Sequence, residues 1–211
     1  PQLPASSFNG ETLYVRMHTA DGYRVFSPFF VPTLDTYDHF ECRVGMGYSR
    51  FVSEFYGVRT EVTVFVPTDE QRVIRDIRVT NSSDTVLTLD VVPVVEFTHF
   101  DALKQLTNAD WVPQTMQCRA EVHGGRTILV QYPFMNKARQ VNYLTCNLPA
   151  DSFETDRKRF LGANEYGSWA DPLSLHAQSL SNYEALRGDT IAALLIALGA
   201  VSYTHLRAHE T

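Results

Sequence analysis

The chain has 211 residues, a formal net charge of −6, 44% hydrophobic residues and 20% charged ones. That length can bury a real core as one large domain or two small ones, and the balance is globular rather than disordered. The acidic surplus excludes general nucleic-acid binding, and the longest apolar run, 191–201, is about half the length of a membrane span.

Three widely spaced cysteines, Cys42, Cys118 and Cys146, form no C-x-x-C pair. With no signal peptide in view, they favour free thiols in a reducing, cytoplasmic compartment. The chain starts at Pro1 without a charged and then apolar leader, and it reads as an internal fragment.

Residues 1–38 are irregular, with strands expected at 13–18 and 23–27 about an Asp21-Gly22 turn. From Phe40 onward strand follows strand. Segments 41–46 and 48–56 precede a turn at Gly57. Segment 58–67 alternates Val58, Thr60, Val62, Val64 and Val66 against Arg59, Glu61, Thr63 and Phe65, the period of a half-buried strand. Segment 72–80 repeats that pattern, and 81–84 (NSSD) bond their own backbone as a turn. Strands are expected at 86–97, 115–122, 127–132, 140–146 and 190–198, with Gly124-Gly125 closing one hairpin. Arginines scattered singly along strands favour exposed cross-strand pairs. Many strands with short turns and little helix indicate an all-β fold, an antiparallel sandwich of two sheets.

The stretch 87–117 organises the rest. Val91, Val92, Val94, Val95 and Phe97 make a nearly continuous apolar run, read as a strand covered on both faces. The polar half that follows suits a ligand-contacting loop or a surface excursion with a short helix over 101–108. Glu96, among apolar neighbours, is either an acid with a raised pKa or the partner of an arginine. Asp156-Arg157 in the stretch 153–175 either clamps a substrate or fixes loop geometry. Asp151, Glu154 and Asp156 are acidic neighbours, but glycoside chemistry needs two carboxyls set apart across a sugar. Neither a G-x-S-x-G elbow nor a glycine-rich phosphate loop is present.

The tail 201–211 (VSYTHLRAHET) has no apolar period and reads as a non-native tail outside the 1–200 domain. His205 and His209 stand four apart. They lack the intervening Glu of a zinc protease motif and a third ligand, so no metal site is assigned.

Four strings occur in consistent order between residues 41 and 175, within a match that covers roughly 23–198: ECRVGMGYSRFVSEFYGVRTEVTVFVP, RDIRVTNSSD, VVPVVEFTHFDALKQLTNADWVPQTMQ and FETDRKRFLGANEYGSWADPLSL. Gly47-Tyr48, Val95-Glu96-Phe97, and Asp156-Arg157 with Phe160-Leu161-Gly162 are their most specific pieces. Together they resemble the N-terminal part of the cellobiose and cellodextrin phosphorylase family, which has chitobiose- and laminaribiose-type members. The resemblance implies a large galactose-mutarotase-like super-sandwich, followed by a helical linker and an (α/α)₆ barrel. The barrel would carry the catalytic Asp as general acid, so no catalytic residue is expected in this chain. Inorganic phosphate, as co-substrate, would attack C1 of a β-linked gluco-oligosaccharide with inversion, giving an α-sugar 1-phosphate without metal or organic cofactor.

The resemblance also implies a homodimer, whose sandwich lends a loop to the partner's active site. The matching loop is 101–117, with Asn108, Asp110, Trp111 and Gln114 as substrate-binding candidates. It reads Thr107-Asn108-Ala109-Asp110-Trp111 where the cellobiose-specific version has an Asn-Phe-Gln-Arg-Asn-like string, which puts cellobiose itself in question as substrate. The fragment alone is expected to be inactive. The alternatives are a non-catalytic carbohydrate-binding sandwich, for which Trp111 and Trp169 would be the exposed aromatics, and a purely structural dimerisation domain.

Overall fold

The computed structural model describes residues 10–97, 111–134, 141–162, 169–201 and 203–210. β1 (Glu11–Thr19) and β2 (Gly22–Phe26) form the first hairpin, with Thr19 opposite Gly22. β3 (His39–Gly45), β4 (Tyr48–Phe55), β5 (Val58–Phe65) and β6 (Val73–Asn81) then run as a meander. The alternation in β5 does what its sequence dictates: Val58, Thr60 and Val62 are buried, and the residues between them are not.

β7 (Leu87–Val95) leaves this meander and pairs with β1. β8 (Met116–His123) and β9 (Arg126–Pro133) form a hairpin, and β10 (Asn142–Cys146) pairs with β9. The Gly124-Gly125 turn has φ of 58° and 76°, the left-handed pair that suits the twist of a tight hairpin. A Cβ on Gly125 would meet nothing within 4 Å. Gly125→Ala is therefore expected to cost only the conformational penalty, roughly 1–2 kcal/mol, read as a lower denaturant midpoint at unchanged slope.

β11 (Ser152–Asp156), the short helix α1 (Arg157–Leu161), β12 (Thr190–Val201) and β13 (Tyr203–Glu210) complete the chain. The strands make two antiparallel sheets, ordered β11-β12-β7-β1-β2 and β3-β4-β5-β6-β13-β10-β9-β8. The informative stretch 153–175 opens with β11 and α1, which place Asp156-Arg157 at a strand-to-helix junction. Residues 203–210 run as β13 between β6 and β10, and His205 and His209 fall on that strand.

The core between the sheets is built by Leu13, Val15, Val91, Val95, Leu194 and Ile196 from one side and Val62, Ile77, Leu129 and Leu144 from the other. A second core lies on the far face of the smaller sheet, where Tyr14, Val92, Val94, Ala193 and Leu195 meet Phe160, Trp169, Leu175 and Leu180. β7 thus alternates Val91 and Val95 into one core with Val92 and Val94 into the other, which is why its sequence is apolar without a break.

The covering segment is held down by buried charge as well as by apolar contact. Arg16 Nε donates to Asp90 Oδ2 at 2.7 Å, and its terminal nitrogens donate to the carbonyls of Ala177 (2.5 Å) and Gln178 (3.2 Å). The Tyr14 hydroxyl donates to the Trp169 carbonyl at 2.6 Å. Several arginines do make the surface cross-strand pairs the sequence suggests, such as Arg50 with Glu61 and Arg59 with Glu54. Arg16 and Arg75 do not: both are fully buried. Burial lowers the pKa of Arg75, with Glu11 pulling it back up; its guanidinium donates to the Thr12 carbonyl at 2.9 Å.

Candidate functional site

The C-terminal end of β7 and the N-terminal ends of β1 and β12 meet at one end of the sandwich, since Val95 pairs with both Glu11 and Ala192. The start of β6 and the start of β10 face them across a cavity of about 460 Å³, lined in part by Glu11, Gln71, Arg72, Glu96, Phe97 and Asn142. Its walls mix hydrogen-bonding groups with apolar side chains, as ligand-sized cavities commonly do.

Glu96 is the first residue beyond β7. Its N–H donates to the Gly10 carbonyl at 2.7 Å, which fixes the exit direction of the chain. Its carboxylate lies 3.1 Å from Arg157 Nε. Burial pushes the Glu96 carboxyl up to about 7; Arg157 pulls it down and Asp189 adds to the rise. The two sequence readings of Glu96 are therefore both realised: it is partnered by an arginine, and it titrates near neutrality.

Asp156-Arg157 fixes local geometry and does not clamp as a pair. Asp156 caps α1, its Oδ1 accepting from Arg159 N–H at 2.8 Å, as an N-cap carboxylate should. Arg157 turns inward to Glu96, with its guanidinium carbon 5.7 Å from the Trp169 ring centre. The acidic neighbours are likewise structural. Glu154 is fully buried, accepting from the N–H groups of Thr155 and Asp156 and from the Ser181 hydroxyl at 2.5 Å, while Asp151 accepts from Ala197 N–H. Among the described residues, no three His, Cys, Asp or Glu side chains converge as a metal site would need.

Of the four loop candidates, Asn108 and Asp110 lie outside the described residues, as does the helix expected over 101–108. Trp111 and Gln114 sit together on the turn that leads into β8. Val112 is fully buried and anchors this turn, and its carbonyl accepts from both the N–H (3.1 Å) and the hydroxyl (2.7 Å) of Thr115. Gln114 N–H donates to the Trp111 carbonyl at 3.1 Å. The side chains of Trp111 (50% exposed) and Gln114 lie at the surface. Trp169, the other aromatic candidate, is only 7% exposed and belongs to the second core, so it offers no face to a ligand.

This architecture has a counterpart among known domains. The family model described as the glycosyl hydrolase 94 supersandwich domain matches residues 2–199. The chain belongs to this family.

The supersandwich domain is 27% identical over 184 residues to an N,N'-diacetylchitobiose phosphorylase of Vibrio proteolyticus, covering 85% of this chain and 22% of that protein. It is 28% identical to a cellobionic acid phosphorylase of Neurospora crassa (83% of this chain, 22% of that protein). To a solabiose phosphorylase of Paenibacillus borealis it is 22% identical (90% and 24%). The chain thus spans under a quarter of the length of these curated relatives. Among solved structures, a bacterial glucoamylase complexed with acarbose shares the fold, with a TM-score of 0.57 at 11% identity over 94% of this chain and 26% of that one. Among the described residues no helix is long and apolar enough to cross a membrane.

Proposed function

We propose that this supersandwich domain is the N-terminal part of an inverting glycoside phosphorylase. The whole protein would cleave β-linked gluco-oligosaccharides with inorganic phosphate to an α-sugar 1-phosphate, in the cytoplasm and without metal or organic cofactor. The domain's own roles are to support a homodimer and to lend the loop 101–117 to an active site built elsewhere in the protein. The observation that carries this reading is the mounting of the loop. It leaves a strand buried on both faces, through a Glu96 held by Gly10 and Arg157, and returns on a turn anchored by buried Val112. A rigid scaffold that ends in an exposed Trp and Gln suits ligand contact. The relatives, all phosphorylases, support the reaction class.

In that role Trp111 offers an apolar platform to a sugar ring, and Asn108, Asp110 and Gln114 offer hydrogen bonds to its hydroxyls, the Asp bonds being charge-assisted. In the full-length protein, Trp111→Ala is expected to raise KM for the acceptor sugar about tenfold or more with kcat little changed, the mark of lost uniform binding. Unchanged steady-state constants would remove the loop from the active site. The chain by itself, given phosphate and a panel of β-glucobioses and cello-oligosaccharides, is expected to release no sugar 1-phosphate above the no-enzyme control. We also read 201–211 as a non-native tail. Sequencing the source reading frame beyond residue 200 tests this, and recovery of VSYTHLRAHET there would overturn it.

A further inference from the structure

The two sheets end in four edge strands, β3 and β8 in the larger and β11 and β2 in the smaller. Two of these are covered by one stretch of chain. On β8, Cys118 N–H donates to the Ala185 carbonyl at 2.8 Å, and the Glu184 carboxylate accepts from Ala120 N–H. On β11, Asn182 N–H donates to the Phe153 carbonyl, Phe153 N–H donates to Asn182 Oδ1, and Glu154 bridges Tyr183. β2 is only five residues long.

β3 is different. It pairs with β4 in unbroken register from His39 opposite Glu54 to Gly45 opposite Tyr48, and among the described residues no segment pairs with its other edge. Exposed edges are usually blunted by charged side chains, Lys above all, or by a Pro or a bulge. The β3 sequence HFECRVG has no Lys, Pro or bulge; its charges, Glu41 and Arg43, are of opposite sign, and it leaves Phe40 38% and Val44 79% exposed.

We propose that β3 pairs antiparallel with β3 of a second copy, about a two-fold axis at Cys42, joining the two larger sheets edge to edge. The inference rests on the homodimer reading above and states which surface makes it. The sequence is self-complementary in this register. Glu41 faces the partner's Arg43, and Arg43 faces the partner's Glu41. Phe40 faces the partner's Val44 on the opposite side of the sheet, because side chains alternate along a strand. Glu41 and Arg43 already form an ion pair within one chain. Across the axis the four charges alternate in sign around a square, and opposite charges directly across strands stabilise.

Competing registers lack this match. Parallel in-register pairing sets Glu41 against the partner's Glu41. A two-fold at Arg43 sets guanidinium against guanidinium, and a slip by one residue brings Glu41 against the partner's Val44. One strand edge is narrower than a stable interface requires. The loop before β3 widens it: Phe29 packs edge-on against Phe51 with ring centres 4.8 Å apart, Phe51 is the cross-strand partner of Cys42, and the same loop exposes Phe30, Val31 and Leu34.

The test uses the full-length protein and measures its dimer dissociation constant by analytical ultracentrifugation. Glu41→Arg and Arg43→Glu are each expected to raise that constant on the order of tenfold or more, because each places like charges face to face. The double variant exchanges the two signs and is expected to return close to wild type. A second arm uses Cys42, the exposed thiol of the three cysteines. Copper(II)-phenanthroline should join two facing Cys42 side chains as a disulfide, the two thiols releasing two protons and passing two electrons to copper. Cys42→Ser should abolish that covalent dimer. A dimer that neither single variant weakens, and that gives no Cys42 cross-link, would overturn the β3 assignment while leaving the homodimer intact. A wild-type monomer would overturn both.

Discussion

Trp169→Ala should cost the domain about 3–5 kcal/mol, the range for truncating a large buried aromatic. For a domain of this length that lowers Tm by on the order of 10 °C. Trp169 is 7% exposed, packs 6.2 Å from the Phe160 ring centre, and underlies Arg157. Its loss opens a cavity beneath the segment that covers the smaller sheet, and the Tyr14 hydroxyl bond to the Trp169 carbonyl, made by backbone, does not replace the missing ring. Trp111→Ala in the same background is expected to change stability by less than about 0.5 kcal/mol, as for other surface positions. Urea unfolding of the two variants side by side measures both. Equal losses would mean that Trp111 is a packing residue and would undercut its role toward a sugar.

The contrast between these tryptophans marks where sequence reading reached its limit. Both stand in polar, aromatic stretches, and nothing local distinguishes them. What separates them is the tertiary position of Phe160 and of β7, more than seventy residues back from Trp169 along the chain. The two-faced burial of β7 was legible, because Val91, Val92, Val94 and Val95 leave no polar side, and so was β5, where the period of two is clean. β11 was not. Its buried Glu154 and Thr155 are stabilised by hydrogen bonds to the 181–185 segment, and such partners leave no apolar signature. Arg16 and Arg75 likewise look like surface residues by type, and become core residues only because Asp90 and the backbone carbonyls of distant segments receive them. The site was legible at its root, in Val95-Glu96-Phe97. The Arg157 that completes that root was visible as half of a dipeptide, but its actual partner lay sixty residues away.

That root makes the domain's stability depend on pH in an unusual direction. The Glu96 carboxyl titrates at its ordinary 4.5 in the unfolded chain and at about 7 in the folded one. Burial is the main cause, Arg157 opposes it, and Asp189 reinforces it. The folded state therefore holds this proton more tightly, so the contribution to stability is fully present below pH 4.5 and is lost as pH rises through 7. At about 1.4 kcal/mol per pH unit, the loss comes to about 3 kcal/mol. Glu96→Gln mimics the protonated side chain at every pH and keeps a hydrogen-bonding oxygen toward Arg157. It is expected to exceed wild type by less than about 1 kcal/mol at pH 5 and by about 3 kcal/mol at pH 8, measured by urea unfolding at both pH values. A constant difference between the two proteins across that range would mean that Glu96 stays ionised in the folded state. The Arg157 pair would then outweigh burial, and the root of the loop would be an ordinary ion pair rather than a neutral acid near physiological pH.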